Sequence, residues 1–301
     1  MTTDPRDGTF RPDAAVSPQR LDRAVKTFRP AMSWGEARDL ITRGKVTVNG
    51  VRATDPARPV DAACEITIAV AAPRIHKGPL VPPFPKDRVL HQDRHVIVVD
   101  KPAGLPSVPW EDDPDALDRR LQELLGHPVQ VVHRLDRDTT GAIMFALTQD
   151  AFAHLEHQLR LHTVHRRYLA IAHGDVKAQT IRSHIADNRG DGLRGSVHNA
   201  RVGKEAVTHV EPVEPLRGAT LVSCRLETGR THQIRIHLAE QGHMLLGERG
   251  YIREHKGEAI AAPRILLHAN ELGFQHPTTG EQLRFVSPLP QDMEEMLASL
   301  R

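Results

Sequence analysis

The chain has 301 residues, enough for one large domain and a small companion with cores of their own. Its 40 Lys+Arg and 38 Asp+Glu nearly cancel, so bulk charge by itself does not argue for a nucleic-acid partner. Two distant cysteines, Cys64 and Cys224, exclude a disulfide framework and a zinc spacing; with no membrane-length apolar run and no basic-then-apolar leader, a soluble, cytoplasmic protein is expected.

Residues 1–17 are polar and without periodicity, which predicts a disordered tail. A short helix is expected to open at Arg20-Leu21-Asp22. A second is expected after Ser33, with Glu36 placed to complete a capping box and Ala37, Leu40 and Ile41 on one face. Gly44 should end it. Lys45-Val46-Thr47-Val48 alternates as a half-buried strand, Asn49-Gly50 is a hairpin turn, and Glu65-Ile66-Thr67-Ile68 is a further strand. Five prolines between residues 71 and 87 predict a linker after this module of residues 18–70.

Val96-Ile97-Val98-Val99-Asp100 is a continuous apolar strand, followed by the turn Lys101-Pro102-Ala103-Gly104-Leu105. Asp113-Pro114 should start a helix with the stripe Leu117, Leu121, Leu124 and Leu125, ended by Gly126. Then Val-Gln-Val-Val at 129–132 leads into His133-Arg134-Leu135-Asp136-Arg137-Asp138-Thr139-Thr140-Gly141, and the apolar run 142–147 follows. This reads as two buried strands joined by a charged loop that Gly141 turns. Asp150 is expected to cap a helix to about Arg160, on which His154 and His157 lie three apart with no third metal ligand nearby. Arg166 to Ala172 is a strand carrying Tyr168. Residues 174–205 fit a hairpin or a flexible basic insertion, with a strand over 180–185, and alternating strands follow at 206–213 and 219–227. Between Arg160 and Arg235 there are 13 Lys+Arg against 7 Asp+Glu, a segment that could present a basic face. Thr228-Gly229-Arg230-Thr231-His232-Gln233-Ile234-Arg235 turns at Gly229 into a helix that Thr231 can cap and Gly242 stops. A last helix should turn Met293, Met296, Leu297 and Leu300 inward.

The loop 133–141, the Lys101-Pro102 turn, Arg166-x-Tyr168, the Gly229-Arg230-Thr231-His232 stretch and the close at Phe285-Val286-Ser287-Pro288 together resemble the RNA pseudouridine synthases of the RluA type over about residues 88–301. The resemblance implies a mixed α/β fold with a largely antiparallel curved sheet and flanking helices. It also implies the isomerisation of specific uridines to pseudouridine in structured RNA, with Asp136 as the catalytic carboxylate. By the same resemblance Tyr168 offers a face to the flipped base, Arg230 pairs with Asp136, and Arg134 fills the vacated stack or holds phosphate. Lys101 is either structural or reaches phosphate. Pro106-Ser107-Val108-Pro109 stands where the family often has a histidine, Met244 replaces a usual proline and Glu248 a usual aspartate. The module at 18–70 resembles the small RNA-binding domain named for ribosomal protein S4, which implies that Arg38, Arg43 and Lys45 face phosphates. Trp34 and Ala63-Cys64-Glu65 depart from that pattern.

The reaction rearranges atoms without gain or loss, so no cofactor and no metal are expected. The expected partner of a monomeric enzyme is RNA, ribosomal first and transfer RNA second. Two other readings stay open at the level of sequence: a non-catalytic RNA-binding or ribosome-assembly factor, and a glycosidase or nuclease using Asp136 with Asp138.

Overall fold

The computed structural model describes residues 6–14, 18–70, 81–109, 113–197, 199 and 201–301, and the chain divides into two compact units, 1–80 and 81–301. No helix among the described residues is long and apolar enough to cross a membrane.

The first unit contains β1 (Gly8–Phe10), β2 (Gln19–Arg20), α1 (Leu21–Phe28), α2 (Trp34–Thr42), β3 (Val46–Val48), β4 (Val51–Ala53), β5 (Pro59–Val60) and β6 (Ile66–Ile68). The capping box forms: Ser33 Oγ accepts the Glu36 N–H at 3.1 Å and Glu36 Oε2 accepts the Ser33 N–H at 2.7 Å. Asn49 and Gly50 adopt φ of 53° and 76°, the left-handed pair that a two-residue hairpin needs. The sheet runs β1-β6-β3-β4, and Leu21, Val25, Ala37 and Ile41 of the helices bury against Val46, Val48, Ile66 and Ile68. Of the expected disordered tail, residues 6–14 are ordered, while 1–5 and 15–17 lie outside the described residues. Gly8–Phe10 pairs with Ile66–Ile68, and the Phe10 ring stacks on Phe28 at 4.0 Å, so one aromatic and one open sheet edge order a polar segment.

The second unit contains β7 (Val89–Gln92), β8 (Val96–Lys101), α3 (Leu117–Leu125), β9 (Gln130–Val131), β10 (Thr140–Ala146), α4 (Gln149–Arg160), β11 (His165–His173) and β12 (Gln179–Ala186). It continues with β13 (Gly195–Val197), β14 (Lys204–Leu216), β15 (Ala219–Leu226), α5 (Gln233–Glu240), β16 (Leu267–Gln275), β17 (Gln282–Val286) and α6 (Gln291–Leu300). These strands form one sheet in the order β13-β12-β14-β15-β11-β16-β10-β8-β7, with β17 on β16 and β9 on β10. Every pairing is antiparallel except a short parallel contact of β10 with β16. The fold is mixed α/β around a largely antiparallel sheet.

Strand periodicity divides the core. Ile97, Val99, Ile143 and Phe145 face α3 and α5, whereas Val96, Val98, Met144 and Ala146 face α4. Ile171 and Leu221 meet Met293 and Leu297 of α6. Three local expectations change. Residues 71–80 of the expected linker lie outside the described residues, but 81–87 belong to the second unit. There Phe84, 1% exposed, enters the core beside α3, and its N–H donates to Arg120 O at 2.9 Å. The cap of α4 is Thr148, whose Oγ1 accepts the Ala151 N–H. Gly141 does not turn the loop: it lies inside β10 at φ 111°, where a Cβ would come within 2.3 Å of Ala269 O of the parallel neighbour β16.

Candidate active site

The loop between β9 and β10 is held almost entirely through its backbone. Ser107 Oγ donates to Leu135 O at 2.8 Å and accepts the Leu135 N–H at 3.0 Å. Arg137 Nε donates to Gly104 O at 2.9 Å, and Arg264 Nη1 donates to Asp138 O at 3.0 Å. Lys101 is fully buried, and its ammonium donates to Pro102 O, Leu105 O and Arg137 O at 3.0, 2.8 and 2.9 Å, using all three donors. Burial pulls Lys101 down to about 7, against the attraction of Asp136 and Asp138. The lysine therefore ties the turn after β8 to the Asp136 loop and does not reach outward.

The loop forms one wall of a cleft of about 1240 Å³ lined by His133, Arg134, Asp136, Tyr168, Arg230 and Arg235, among others. Tyr168 projects from β11 where its register with β16 shifts between Arg167 and Leu169. It is 7% exposed, and burial pushes its phenol up. Arg134 is exposed at the cleft. His133 Nε2 accepts the Met144 N–H at 3.2 Å; burial, and then the charge of Arg166, push the imidazole down to about 3, so it is neutral.

The arginine opposite Asp136 is not Arg230. Arg230 Nε donates to Glu205 O at 2.8 Å, whereas Arg235 Nη1 lies 3.2 Å from Asp136 Oδ2. Arg230 precedes α5, in a turn held by Gln233 Oε1, which accepts the Arg230 N–H and the Thr228 hydroxyl. Arg235 is on the helix, whose side chains lean toward its N-terminus and so toward the loop. Behind it, Arg235 Nε and Nη2 donate to the two oxygens of Glu248 at 2.7 and 2.9 Å. The Glu248 side chain is wholly buried, and its Oε1 also accepts the N–H groups of Arg249, Gly250 and Tyr251. Burial alone would raise the Glu248 carboxyl; Arg235 and these N–H groups outweigh it and hold it below the usual range. One guanidinium thus spans a buried carboxylate that fixes it and a cleft-facing carboxylate that it serves. The signal in the sequence was Glu248 itself, a lone carboxylate after the apolar Met244-Leu245-Leu246-Gly247, which once buried requires a cation.

His232 completes this wall. It is the N-cap of α5 in place of Thr231, at φ 60°, an uncommon conformation for a residue with a Cβ. Its Nδ1 shares a 2.7 Å hydrogen bond with the Tyr251 hydroxyl, and its Nε2 is 3.8 Å from Asp136 Oδ2. His154 and His157 are engaged by Gln158 and Arg160, and no cluster of three metal-ligating side chains occurs among the described residues.

In the first unit Arg38 Nε is 3.0 Å from Asp22 Oδ2 and Arg43 Nε is 2.5 Å from Asp39 Oδ1, with both arginine side chains about half exposed (56% and 43%). Lys45 is partly buried at the start of β3.

Comparison with known proteins places the chain in a family. Residues 95–240 match the family model described as RNA pseudouridylate synthase, and residues 19–65 match the S4 domain. The chain is 38% identical over 310 residues to the ribosomal large subunit pseudouridine synthase D of Xylella fastidiosa, covering 97% of this chain and 92% of that protein. It is 34% identical to the protein of the same name from Zymomonas mobilis, with 93% of each covered. An uncharacterized RNA pseudouridine synthase of Bacillus subtilis is 35% identical, with 94% of each covered. Among solved structures, human RNA pseudouridylate synthase domain containing 4 superposes with a TM-score of 0.58 at 26% identity, over 70% of this chain and 92% of that one. Covered almost end to end by relatives more than 30% identical, and matching the S4 domain ahead of the synthase segment in sequence, the chain belongs to the RNA pseudouridine synthases of the RluA type.

Proposed function

We propose that this protein isomerises specific uridines of large-subunit ribosomal RNA to pseudouridine, in the cytoplasm and as a monomer, with Asp136 as the catalytic carboxylate. The observation that carries the reading is the Asp136–Arg235–Glu248 chain at the wall of a cleft that also holds Tyr168. The C1′–N1 glycosidic bond breaks, the uracil turns, C5 bonds to C1′, the C5 proton leaves and N1 ends protonated. Atoms balance, and no cofactor enters. Asp136 acts on the sugar as nucleophile or as base, and either role needs a carboxylate held in place, which the 3.2 Å contact with Arg235 provides. Tyr168 stacks on the uracil once it has left its helix. Arg134 holds the place of the flipped nucleotide or its phosphates, and Arg38, Arg43 and Lys45 hold the RNA backbone. The relatives named for the large ribosomal subunit support the choice of RNA.

The test is pseudouridine mapping on an unmodified large-subunit ribosomal RNA transcript after incubation with the protein. Wild type is expected to convert defined uridines in unbroken RNA, and the nearly isosteric Asp136→Asn to bind the RNA with turnover reduced at least about a hundredfold. Free uracil, cut RNA or substantial turnover by Asp136→Asn would overturn the reading.

A further inference from the structure

Arg166 has no role in the chemistry above, yet it sits in the same cleft. It lies two residues before Tyr168 on β11, so strand alternation turns both side chains to one face. It is 7% exposed, and among the described residues the one hydrogen bond its side chain makes runs from Nη2 to Glu227 O at 2.8 Å. Its Nε is buried without a partner among the described residues. Burial pushes its guanidinium down from the usual value; Tyr168 opposes the push and the like charge of Arg230 adds to it. Arg230, also at the cleft, bonds only Glu205 O through Nε, which leaves its terminal nitrogens without partners among the described residues. The turn between the two is shaped for this: a Cβ on Gly229 would meet Arg166 Nη1 at 2.5 Å, so the absent side chain leaves room for the guanidinium.

Two neighbouring cations, one nine-tenths buried with an idle donor, form an arrangement that desolvation disfavours until an anion enters. A base carbonyl could take one hydrogen bond but would neutralise neither charge. A phosphate oxygen pair does both, in the forked geometry guanidinium favours. We propose that Arg166 and Arg230 form an anion subsite that takes a backbone phosphodiester of the RNA strand beside the nucleotide stacked on Tyr168. The proposal rests on the RNA-modifying function proposed above. The subsite anchors the strand next to the reacting nucleotide.

The experiment uses the full chain and an unmodified large-subunit ribosomal RNA transcript. Pseudouridine formation by wild type is measured first, then the dependence of log Kd on log KCl concentration for wild type, Arg166→Gln, Arg166→Lys, Arg230→Gln and Gly229→Ala, with thermal melting of each. Each Gln variant is expected to lower the salt slope, by at most about 0.7–0.9, the contribution of the one phosphate that the two arginines share. KM should rise about tenfold, with a smaller change in kcat. Arg166→Lys should keep the slope, and Gly229→Ala, which displaces the guanidinium without removing charge, should weaken binding. Because Arg230 lies in a surface turn, Arg230→Gln decides the matter even where Arg166→Gln melts early. Unchanged slopes in folded Gln variants overturn the subsite, and a loss of kcat at unchanged slope assigns these arginines to the base. Absence of pseudouridine with wild type defeats the proposed function instead, while the slopes still judge the anion subsite.

Discussion

At the scale of single residues, the site turns on which cation stands beside Asp136. Arg235 is fixed from behind by Glu248, so it presents one free face to the cleft without loss of side-chain freedom at the moment of reaction. Arg235→Ala should therefore lower turnover at saturating RNA by at least about a hundredfold. Arg235→Lys, which cannot reproduce the fork, should retain part of the activity. Arg230→Ala should act on RNA affinity far more than on turnover at saturating RNA; a loss of turnover as large as that of Arg235→Ala would return Arg230 to the role the family resemblance implied. Tyr168 separates along another line. Stacking, worth about 1–3 kcal/mol per base, survives in Tyr168→Phe and not in Tyr168→Ala, so the phenylalanine variant should keep the greater turnover. Equal inactivity of the two would assign the work to the hydroxyl.

At the scale of elements, the Asp136 loop is rigid because the turn after β8 and the segment before α3 hold its carbonyls. Ser107 both donates to and accepts from Leu135, so Ser107→Ala removes two hydrogen bonds worth about 1 kcal/mol each and should lower kcat with the fold retained, read from single-turnover rates and melting. Lys101 carries a pH signature. Its folded value of about 7 lies below its ordinary value of 10.5, so between those pH values the unfolded chain holds a proton that the native state has released. Stability then rises with pH across that window and the group's full burial cost is felt below it. Calorimetry of wild type against Lys101→Met should show a difference that changes in this direction from pH 7 to pH 10; a pH-independent difference would mean that the buried ammonium keeps its proton throughout.

At the scale of the whole molecule, one unit carries the cleft and the other three cations suited to phosphate. Arg43 is tied to Asp39 in an exposed pair, which is worth little and yields to a stronger anion; Arg38 shares the buried Asp22 carboxylate with Arg20, while its own side chain stays 56% exposed. Replacing Arg38, Arg43 and Lys45 together by Gln in the full chain should lower the salt slope of binding to large-subunit ribosomal RNA by about 2–3, with single-turnover chemistry at saturation far less affected. A slope equal to wild type would remove these residues from the RNA backbone.

Much of this was written locally. The Ser33–Glu36 capping box, the Asn49-Gly50 turn and the continuous apolar strand at 96–100 follow from steric preference and apolar patterning over a few residues, which act before any tertiary contact exists, while Asp136 and Tyr168 stood out through the family resemblance. What the chain could not declare is partnership across distance. Asp136 and Arg235 are 99 residues apart, and which arginine of the 228–239 stretch arrives depends on where α5 starts and which side of it meets the sheet. That start lies one residue beyond the Thr231 cap that the sequence suggests: Gln233 reaches back to hold the turn, and His232 takes the cap position. Gly141 was read as a turn because glycine usually serves that purpose, and only the approach of Ala269 from a strand more than a hundred residues later shows what its missing side chain is for. Local sequence set the elements, and family resemblance pointed to Asp136; the docking of α5 and β16 against the loop decided the charge beside it, because a pairing energy exists only once the sheet has brought its partners within reach.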